Sequence, residues 1–146
     1  MNTETISVEA HAKINLSLDV LKKREDGYHE VRMIMQTLKL CDEIRLQKLP
    51  EGAGIRLLPW EGEEDSERLR GIPMDEKNLM YRAAALLKEH CGLETGVELR
   101  LRKRIPAAAG LAGGSADAAA VLSGMNELFD LHLSLAELQK LGAALG

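Results

Sequence analysis

The residues best suited to chemistry lie in one glycine-rich stretch, Arg104-Ile-Pro-Ala-Ala-Ala-Gly-Leu-Ala-Gly-Gly-Ser-Ala-Asp117. An alternating run at 97–101 precedes it and an alanine-rich helical pattern at 118–129 follows it, so the order predicts a strand, a loop and a helix. The glycines allow the backbone to approach a ligand with no Cβ in the way. Ser115 and Asp117 are residue types that cap helices, so we expect the helix to begin beside them.

Phosphate is the ligand that such a loop suits, because the unpaired N–H groups of a helix N-terminus attract anions. The Ser115 hydroxyl can bind a phosphate oxygen or a metal ion. Two better-known phosphate loops do not fit: the chain has no Gly-Lys pair, and Ala112 stands where a dinucleotide fingerprint requires a second glycine. A strand-to-helix turn built of small residues for close packing stays an open alternative.

A second group of candidates lies near the N-terminus. Apolar residues alternate over residues 5–20, which predicts a strand with Lys13 and Asn15 pointing the same way, toward one ligand or toward solvent. Asp26-Gly27 predicts a turn. Tyr28 and His29 then stand at the start of the next strand. They could form a stacking platform for a flat ring, or Tyr28 could be a rim tyrosine packed on the sheet.

Together these motifs resemble a known family. The order Pro-x-x-x-Gly-Leu-x-Gly-Gly-Ser-x-Asp-Ala-Ala resembles the nucleotide loop of the GHMP kinases, which include galactose, homoserine, mevalonate and phosphomevalonate kinases. Ala12-Lys-Ile-Asn-Leu16 and Asp26-Gly-Tyr-His-Glu30 most resemble the branch that phosphorylates 4-diphosphocytidyl-2C-methyl-D-erythritol in the non-mevalonate isoprenoid pathway. The resemblance extends over essentially the whole chain, as the first half of a typical member.

The resemblance implies a role for each matching residue. Lys13 would be catalytic, Asn15 would contact the substrate, Tyr28 would stack on its cytosine and His29 would bond the cytosine edge. Ser115 would bind Mg²⁺. ATP would be bound by a cation at Lys103, by Asn78 near the base, and by the loop residues Pro106, Ala107, Ala108, Ala109, Gly110, Leu111, Ala112, Gly113, Gly114, Ser115 and Ala116. For Lys103 a solvated strand end, and for Asn78 a helix cap, are equal alternatives.

The chain also departs from the family pattern. Members often have Gly where Ala112 stands and Ser or Thr where Ala116 stands. The aspartate that pairs with the family's catalytic lysine would lie just beyond Gly146. We therefore expect residues 1–146 to be an N-terminal ATP-binding domain without the C-terminal domain, with negligible kinase turnover on its own.

Composition narrows the class of protein. The 146 residues are 45% hydrophobic, which suits one domain with a real core. A net charge of −4 with intermixed signs argues against nucleic-acid binding. Without a membrane-length apolar run or a secretory signal, we expect a cytoplasmic protein, monomeric or weakly dimeric. Cys41 and Cys91 are predicted to be buried thiols, and the histidines lack metal-ligand spacing.

The expected fold is α+β, the ribosomal-protein-like GHMP N-terminal domain: a mostly antiparallel sheet with helices on one face and a left-handed β-α-β unit. The pattern predicts a strand pair over 31–48 that bends at Asp42-Glu43, and a short strand at 55–58. It also predicts a helix of about 13 residues from Asn78 to Gly92 and a last helix at 135–145 with a Ser134–Glu137 capping box.

Three other functions are weighed. Another GHMP small-molecule kinase is disfavoured by the Asp26-Gly-Tyr-His29 motif. A non-catalytic nucleotide-binding or interaction module is favoured by the missing second half. A nucleic-acid-binding domain would match the ribosomal-protein-like fold, but the acidic balance opposes it.

Overall fold

The structure is a computed structural model that describes residues 4–107 and 111–146. Within these residues the chain forms a four-stranded sheet, one short 3₁₀ turn at Glu67–Leu69 and three α-helices. In chain order the strands and helices are β1 (Thr5–Lys23), β2 (His29–Glu51), β3 (Ile55–Pro59), α1 (Leu79–Cys91), β4 (Thr95–Arg102), α2 (Gly113–Leu128) and α3 (Leu135–Ala144).

The sheet has the strand order β1-β2-β4-β3. The pairs β1–β2 and β2–β4 are antiparallel, whereas β3 and β4 are parallel and are connected through α1. Parallel neighbours need such a crossover, because a tight turn can join only antiparallel strands. The predicted α+β, mostly antiparallel sheet is confirmed, and the left-handed sense of the β-α-β unit stays a prediction.

The core lies between the sheet and α1 and α2. Alternate residues of β2 and β4 point to the helices and are fully buried, among them Ile44, Leu46, Leu99 and Leu101. At Gly124 the helix α2 approaches the sheet so closely that a Cβ would lie 2.8 Å from a Leu46 methyl group. The helices therefore cover one face, as predicted.

The opposite face of the sheet carries charged side chains. The guanidinium groups of Arg45 and Arg102 lie 4.8 and 4.2 Å from the centre of the Trp60 ring. Arg102 also pairs with Glu63 at 3.1 Å. Cation–π contacts and ion pairs hold the loop after β3 against this face. Among the described residues, no helix is both long and apolar enough to cross a membrane.

Several predicted boundaries are confirmed. The Asn78 side chain caps α1, and Gly92 ends it in the left-handed conformation at φ 61°. Helix α3 begins with the predicted capping box of Ser134 and Glu137. These ends were predictable because a local side chain or a glycine satisfies the terminal backbone groups.

Other predictions are wrong. The predicted strand pair is one continuous strand, β2, which passes through Asp42-Glu43, and the fully buried Asp42 carboxylate accepts hydrogen bonds from the backbone N–H groups of Arg104 and Ile105. Helix α2 begins at Gly113, before the predicted start, and its N-cap is Ala112, with no side-chain bond. Ser115 and Asp117 therefore lie inside α2. The thiols of Cys41 and Cys91 are partly exposed and not fully buried.

Candidate active site

A cleft of about 410 Å³ opens at the N-terminus of α2. It is formed by the segment that enters α1, the residue that follows β4, and the glycine loop with the first turns of α2. Its lining residues are Ile72, Pro73, Lys77, Asn78, Leu79, Lys103, Pro106, Ala107, Leu111, Ala112, Gly113, Gly114, Ser115 and Asp117. The predicted loop residues Ala108, Ala109 and Gly110 lie outside the described residues. The other predicted nucleotide residues line this cleft, except Ala116.

The start of α2 leaves backbone donors at the cleft. Ala112 takes φ 56° and offers no side-chain cap, and the first intrahelical bond runs from Ala116 N–H to Ala112 O. The N–H groups before Ala116 have no acceptor within the helix and lie at its positive end. At Gly113 a Cβ would lie 2.9 Å from Lys103 Nζ and 3.0 Å from Ile105 Cγ2, so only glycine fits without a shift.

A buried ion cluster lies directly beneath this helix start. Lys103 Nζ is 2.6 Å from Asp42 Oδ2 and 3.2 Å from Asp117 Oδ2. The other oxygen of Asp42 accepts hydrogen bonds from the backbone N–H groups of Arg104 at 2.7 Å and Ile105 at 2.8 Å. Only 5% of Lys103 is exposed, so the alternative of a solvated strand end is wrong. We call Asp42, Lys103 and Asp117 the buried triad.

The two carboxyl groups of the buried triad have pKa values shifted in opposite directions. Burial raises the pKa of Asp117 to about 8, the hydrogen bond and negative charge of Asp42 act in the same direction, and Lys103 opposes them. Burial also disfavours the charged form of Asp42. Its hydrogen bonds with Asp117, Ile105, Lys103 and Arg104 nevertheless hold the Asp42 pKa below its ordinary value. The surroundings of Asp117 therefore favour its neutral form, and those of Asp42 favour the carboxylate.

Asn78 fills the place of a helix cap. Its Oδ1 accepts from Met80 N–H at 2.8 Å, and its Nδ2 donates to Pro73 O at 2.7 Å. The cap interpretation is confirmed. Because Asn78 also lines the cleft, a contact with a nucleotide base stays a prediction.

Lys13 lies at the edge of the glycine loop. Its backbone N–H donates to Leu111 O at 3.2 Å, so β1 supports the loop directly. Lys13 pairs with Thr37 and Asn15 pairs with Met35, so the β1–β2 register has no irregularity between Lys13 and Asn15. The side chains of Lys13 and Asn15 therefore share one face, as predicted, and both residues are exposed. Neither residue lines the cleft.

Tyr28 and His29 lie at the tip of the β1–β2 hairpin. Asp26 Oδ1 accepts from Tyr28 N–H at 3.1 Å, Gly27 takes φ 88°, and Tyr28 is 75% exposed. At about 3.3 Å per residue, the strand from Lys13 to the tip extends up to roughly 33 Å. The structure does not bring Tyr28 or His29 to the cleft.

Comparisons with known proteins show what this chain is similar to. The family model of the GHMP kinases N terminal domain matches residues 78–146. A curated protein of Acetivibrio thermocellus named 4-diphosphocytidyl-2-C-methyl-D-erythritol kinase is 52% identical over an alignment of 146 positions, which covers 98% of this chain and 47% of that protein. A crystal structure of 4-(cytidine 5'-diphospho)-2C-methyl-D-erythritol kinase superposes with a TM-score of 0.75 at 35% identity, over 97% of this chain and 46% of that one.

The chain has the fold of a GHMP kinase N-terminal domain. A homoserine kinase structure from Cytophaga hutchinsonii shares this GHMP fold at a TM-score of 0.69 and 21% identity, over 97% of this chain and 40% of that one. The chain spans about half the length of the curated relatives it matches. The predicted fold class is confirmed, and so is the likeness to proteins named as kinases of the diphosphocytidyl ester.

Sequence reasoning did not identify the buried triad within this GHMP fold. A usable signal existed in the alternation of each element. Asp42 lies two positions before the buried Ile44, and Lys103 lies two positions after the buried Leu101, so each is expected on the same face of its strand as that residue. Asp117 lies four positions before the buried Val121 on α2. Three ionisable residues on core-facing positions predict partners for one another, because an isolated buried charge is too costly.

Proposed function

We propose that this chain is the ATP-binding portion of a small-molecule kinase. The whole protein would transfer the γ-phosphoryl group of ATP to the 2-hydroxyl of 4-diphosphocytidyl-2C-methyl-D-erythritol. The observation that carries the proposal is the uncapped start of α2 behind a glycine loop, at a cleft of about 410 Å³. The names of the relatives support the acceptor.

The backbone of the first turn of α2 would hold the ATP phosphates. Unpaired N–H groups and the helix dipole both favour negative charge there. The buried triad joins β2, the end of β4 and α2, so its role in this proposal is to fix these elements beneath the phosphates. Lys77 lines the cleft and has no ion pair among the described residues, so its ammonium group adds positive charge.

The site also suits the predicted magnesium ion. Ser115 is exposed in the first turn of α2 and lines the cleft, so its hydroxyl oxygen is available to a ligand there. Oxygen donors of this kind are what Mg²⁺ prefers, together with phosphate oxygens. When bound, the ion would neutralise charge on the phosphates. The Ser115 hydroxyl would hold it, and we assign no ligand role to Asp117.

Lys13 would stabilise the acceptor hydroxyl and the transferring group. Phosphoryl transfer depends mainly on position and on positive charge near the spreading negative charge. The bond from Lys13 N–H to Leu111 O keeps this residue beside the loop. Asn15, on the same face, would contact the acceptor.

Tyr28 and His29 would bind the cytosine by stacking and by hydrogen bonding. The proposal requires the hairpin tip to lie within one substrate length of Lys13. Three register irregularities between β1 and β2 are places where the hairpin can curve toward the cleft. Residues 1–146 alone are proposed to have negligible turnover, as the resemblance implies.

Acceptor-dependent ADP formation by the whole protein tests the function. We expect turnover with the diphosphocytidyl ester and at least a hundredfold loss in Lys13→Met, because the positive charge acts in the transition state. Lys22→Met is the control, since Lys22 only pairs with Glu30 on the exposed hairpin. Higher kcat/KM with mevalonate or homoserine would contradict the proposed substrate.

A further inference from the structure

Three metal-ligating side chains converge on the charged face of the sheet, away from the helices. His11 and Cys41 are direct cross-strand partners in β1 and β2, and Glu9 precedes His11 by two positions. All three therefore project to one face. The neighbours Ala10 and Asp42 are buried toward the helices. Ligand atoms of Glu9, His11 and Cys41 all lie within 4.8 Å of one another.

The histidine is held in the tautomer that a metal requires. His11 Nδ1 lies 2.9 Å from Leu38 O, and a carbonyl oxygen only accepts, so Nδ1 carries the hydrogen. The neutral ring then presents its lone pair at Nε2. Metal-ligating histidines commonly donate their other N–H to a backbone carbonyl in this way.

The strand irregularity beside His11 places that carbonyl. His11 pairs with Cys41, and the next pair along the two strands is Lys13 with Thr37. One residue of β1, Ala12, therefore lies opposite three residues of β2, 38–40. The extra residues bring Leu38 O to the imidazole. The fixed ring orientation therefore comes from the backbone of the sheet and not from a flexible side chain.

The contact between His11 and Glu9 is incomplete without a cation. His11 Nε2 is 3.1 Å from Glu9 Oε2, and both atoms are acceptors when the ring is neutral. A proton on Nε2 or a metal ion between the two atoms would make the contact favourable. The Cys41 sulfur supplies a third ligand at the same point.

We propose that Glu9, His11 and Cys41 form a Zn²⁺ site. Thiolate, imidazole and carboxylate are the usual ligands of Zn²⁺, whereas Mg²⁺ and Ca²⁺ select oxygen. Three protein ligands leave the fourth tetrahedral position to water. The site lies on the face opposite the helices and is independent of the proposed kinase function.

Zn²⁺ binding at this site releases the thiol proton. Burial and the nearby Glu9 carboxylate raise the pKa of Cys41 in the metal-free protein, whereas Arg104 lowers it. The Arg104 guanidinium is itself paired with Glu43 at 2.7 Å.

Titration of the metal-free protein with Co²⁺, followed by displacement with Zn²⁺, tests the site. We expect one equivalent of Co²⁺ and a thiolate-to-cobalt charge-transfer band. Cys41→Ser abolishes the band. His11→Gln and Glu9→Gln each weaken Zn²⁺ binding by at least about tenfold. Replacing a residue that only hydrogen-bonds to a metal ligand already lowers metal affinity by about 10- to 100-fold, and a ligand should matter at least as much. Cys91→Ser is the matched control and retains full binding, because Cys91 lies at the end of α1.

A second control is His132→Gln. The imidazole of His132 also lies 3.1 Å from a carboxylate, Asp130, but this exposed pair has no third ligand among the described residues. The His132 variant therefore binds zinc like the parent. Zinc binding that survives Cys41→Ser, or no binding at micromolar Zn²⁺, overturns the site.

Alkylation keeps the test decisive if a variant fails to fold. Zn²⁺ added to the unmodified protein protects Cys41 from iodoacetamide and leaves Cys91 as reactive as before. Mass spectrometry of the two cysteine peptides measures both rates. Equal protection of the two thiols, or protection of neither, contradicts the proposal.

Discussion

The two ends of the β1–β2 pair have the same alternating sequence pattern but different surroundings. In the near end, residues 5–12 and 42–51, one face packs under α2 and is buried. In the far end, residues 14–23 and 29–36, apolar side chains such as Leu16, Val20 and Ile34 are more than half exposed. Alternation therefore predicts a strand, but it does not predict what covers the strand.

The same difference separates the two halves of the candidate site. The nucleotide half is built from the near end, β4 and α2, and is held by the buried triad and the close packing at Gly113. The proposed substrate half is on the far end, where Asp26 accepts a hydrogen bond from Tyr28 N–H and forms an exposed ion pair with Arg24. Substitutions in the nucleotide half should change stability and binding together, and those in the substrate half should change binding alone.

Removing one carboxylate of the buried triad should have the largest effect. Asp42→Ala leaves Lys103 and two backbone N–H groups buried without this partner. We expect a loss of about 3–5 kcal/mol in the free energy of unfolding, measured by urea denaturation. Glu43→Ala, one residue away, is the control and should cost about 1 kcal/mol or less, because its ion pairs are partly exposed. Similar losses in both variants would contradict the account.

The proton of Asp117 should make stability depend on pH. Folding raises the pKa of Asp117 from 3.8 to about 8. The stability that the protonated Asp117 side chain contributes is therefore complete below about pH 4 and is lost as the pH rises toward 8. A difference of one bound proton between the folded and unfolded states changes the free energy of unfolding by about 1.4 kcal/mol per pH unit. Relative to Asp117→Asn, which stays neutral, the parent should therefore lose stability between pH 5 and pH 8.

Urea midpoints of the two proteins at each pH measure this difference. Asp130→Asn provides the control, because Asp130 is exposed and should show no comparable trend. A parent protein whose stability relative to Asp117→Asn stays level over this range would show that Asp117 is ionised in the folded state, because the folded and unfolded states would then bind the same number of protons.

Gly113→Ala should have an intermediate effect on stability. Its Cβ would lie 2.9 Å from Lys103 Nζ and 3.0 Å from Ile105 Cγ2, so a cost of about 1–3 kcal/mol is expected. Gly114→Ala is the matched control. A Cβ there would lie 3.6 Å from Leu79 Cδ1, an ordinary contact, and alanine favours the helix. Thermal unfolding compares the two variants, and equal melting temperatures would refute the close packing at Gly113.

Tyr28→Ala should change stability least. Because Tyr28 is 75% exposed, the free energy of unfolding should change by no more than about 0.5 kcal/mol. Stacking on a base contributes about 1–3 kcal/mol. In the whole protein, Tyr28→Ala should therefore weaken binding of a cytidine diphosphate ester by about tenfold or more. Tyr28→Phe keeps the ring and should retain binding, which calorimetric titration would measure. Unchanged affinity in Tyr28→Ala would remove Tyr28 from the proposed site.

Local chemistry made much of the fold predictable. The caps at Asn78 and Ser134 and the glycine that ends α1 are visible in the sequence because their partners lie within a few residues.

The buried triad was not predicted, because its bonds join residues far apart in the chain. Lys103 and Asp42 are 61 positions apart. Without that partner, Asp42-Glu43 has the composition of a turn, and the sequence therefore predicted a bend that the structure does not have. The start of α2 was misplaced because Ala112 takes the left-handed conformation without any capping side chain.

Calorimetric titration of this chain with Mg-ATP tests the central claim most directly, that the start of α2 is a phosphate site. The account predicts saturable binding of one nucleotide, weakened at least about tenfold by Gly113→Ala, which disturbs the helix start. Gly142→Ala is the control and should retain binding, because Gly142 lies in α3, does not line the cleft, and has room for a Cβ at 3.8 Å from Leu122 Cδ1. Absence of binding by the folded parent chain, or equal affinity in all three proteins, would contradict it.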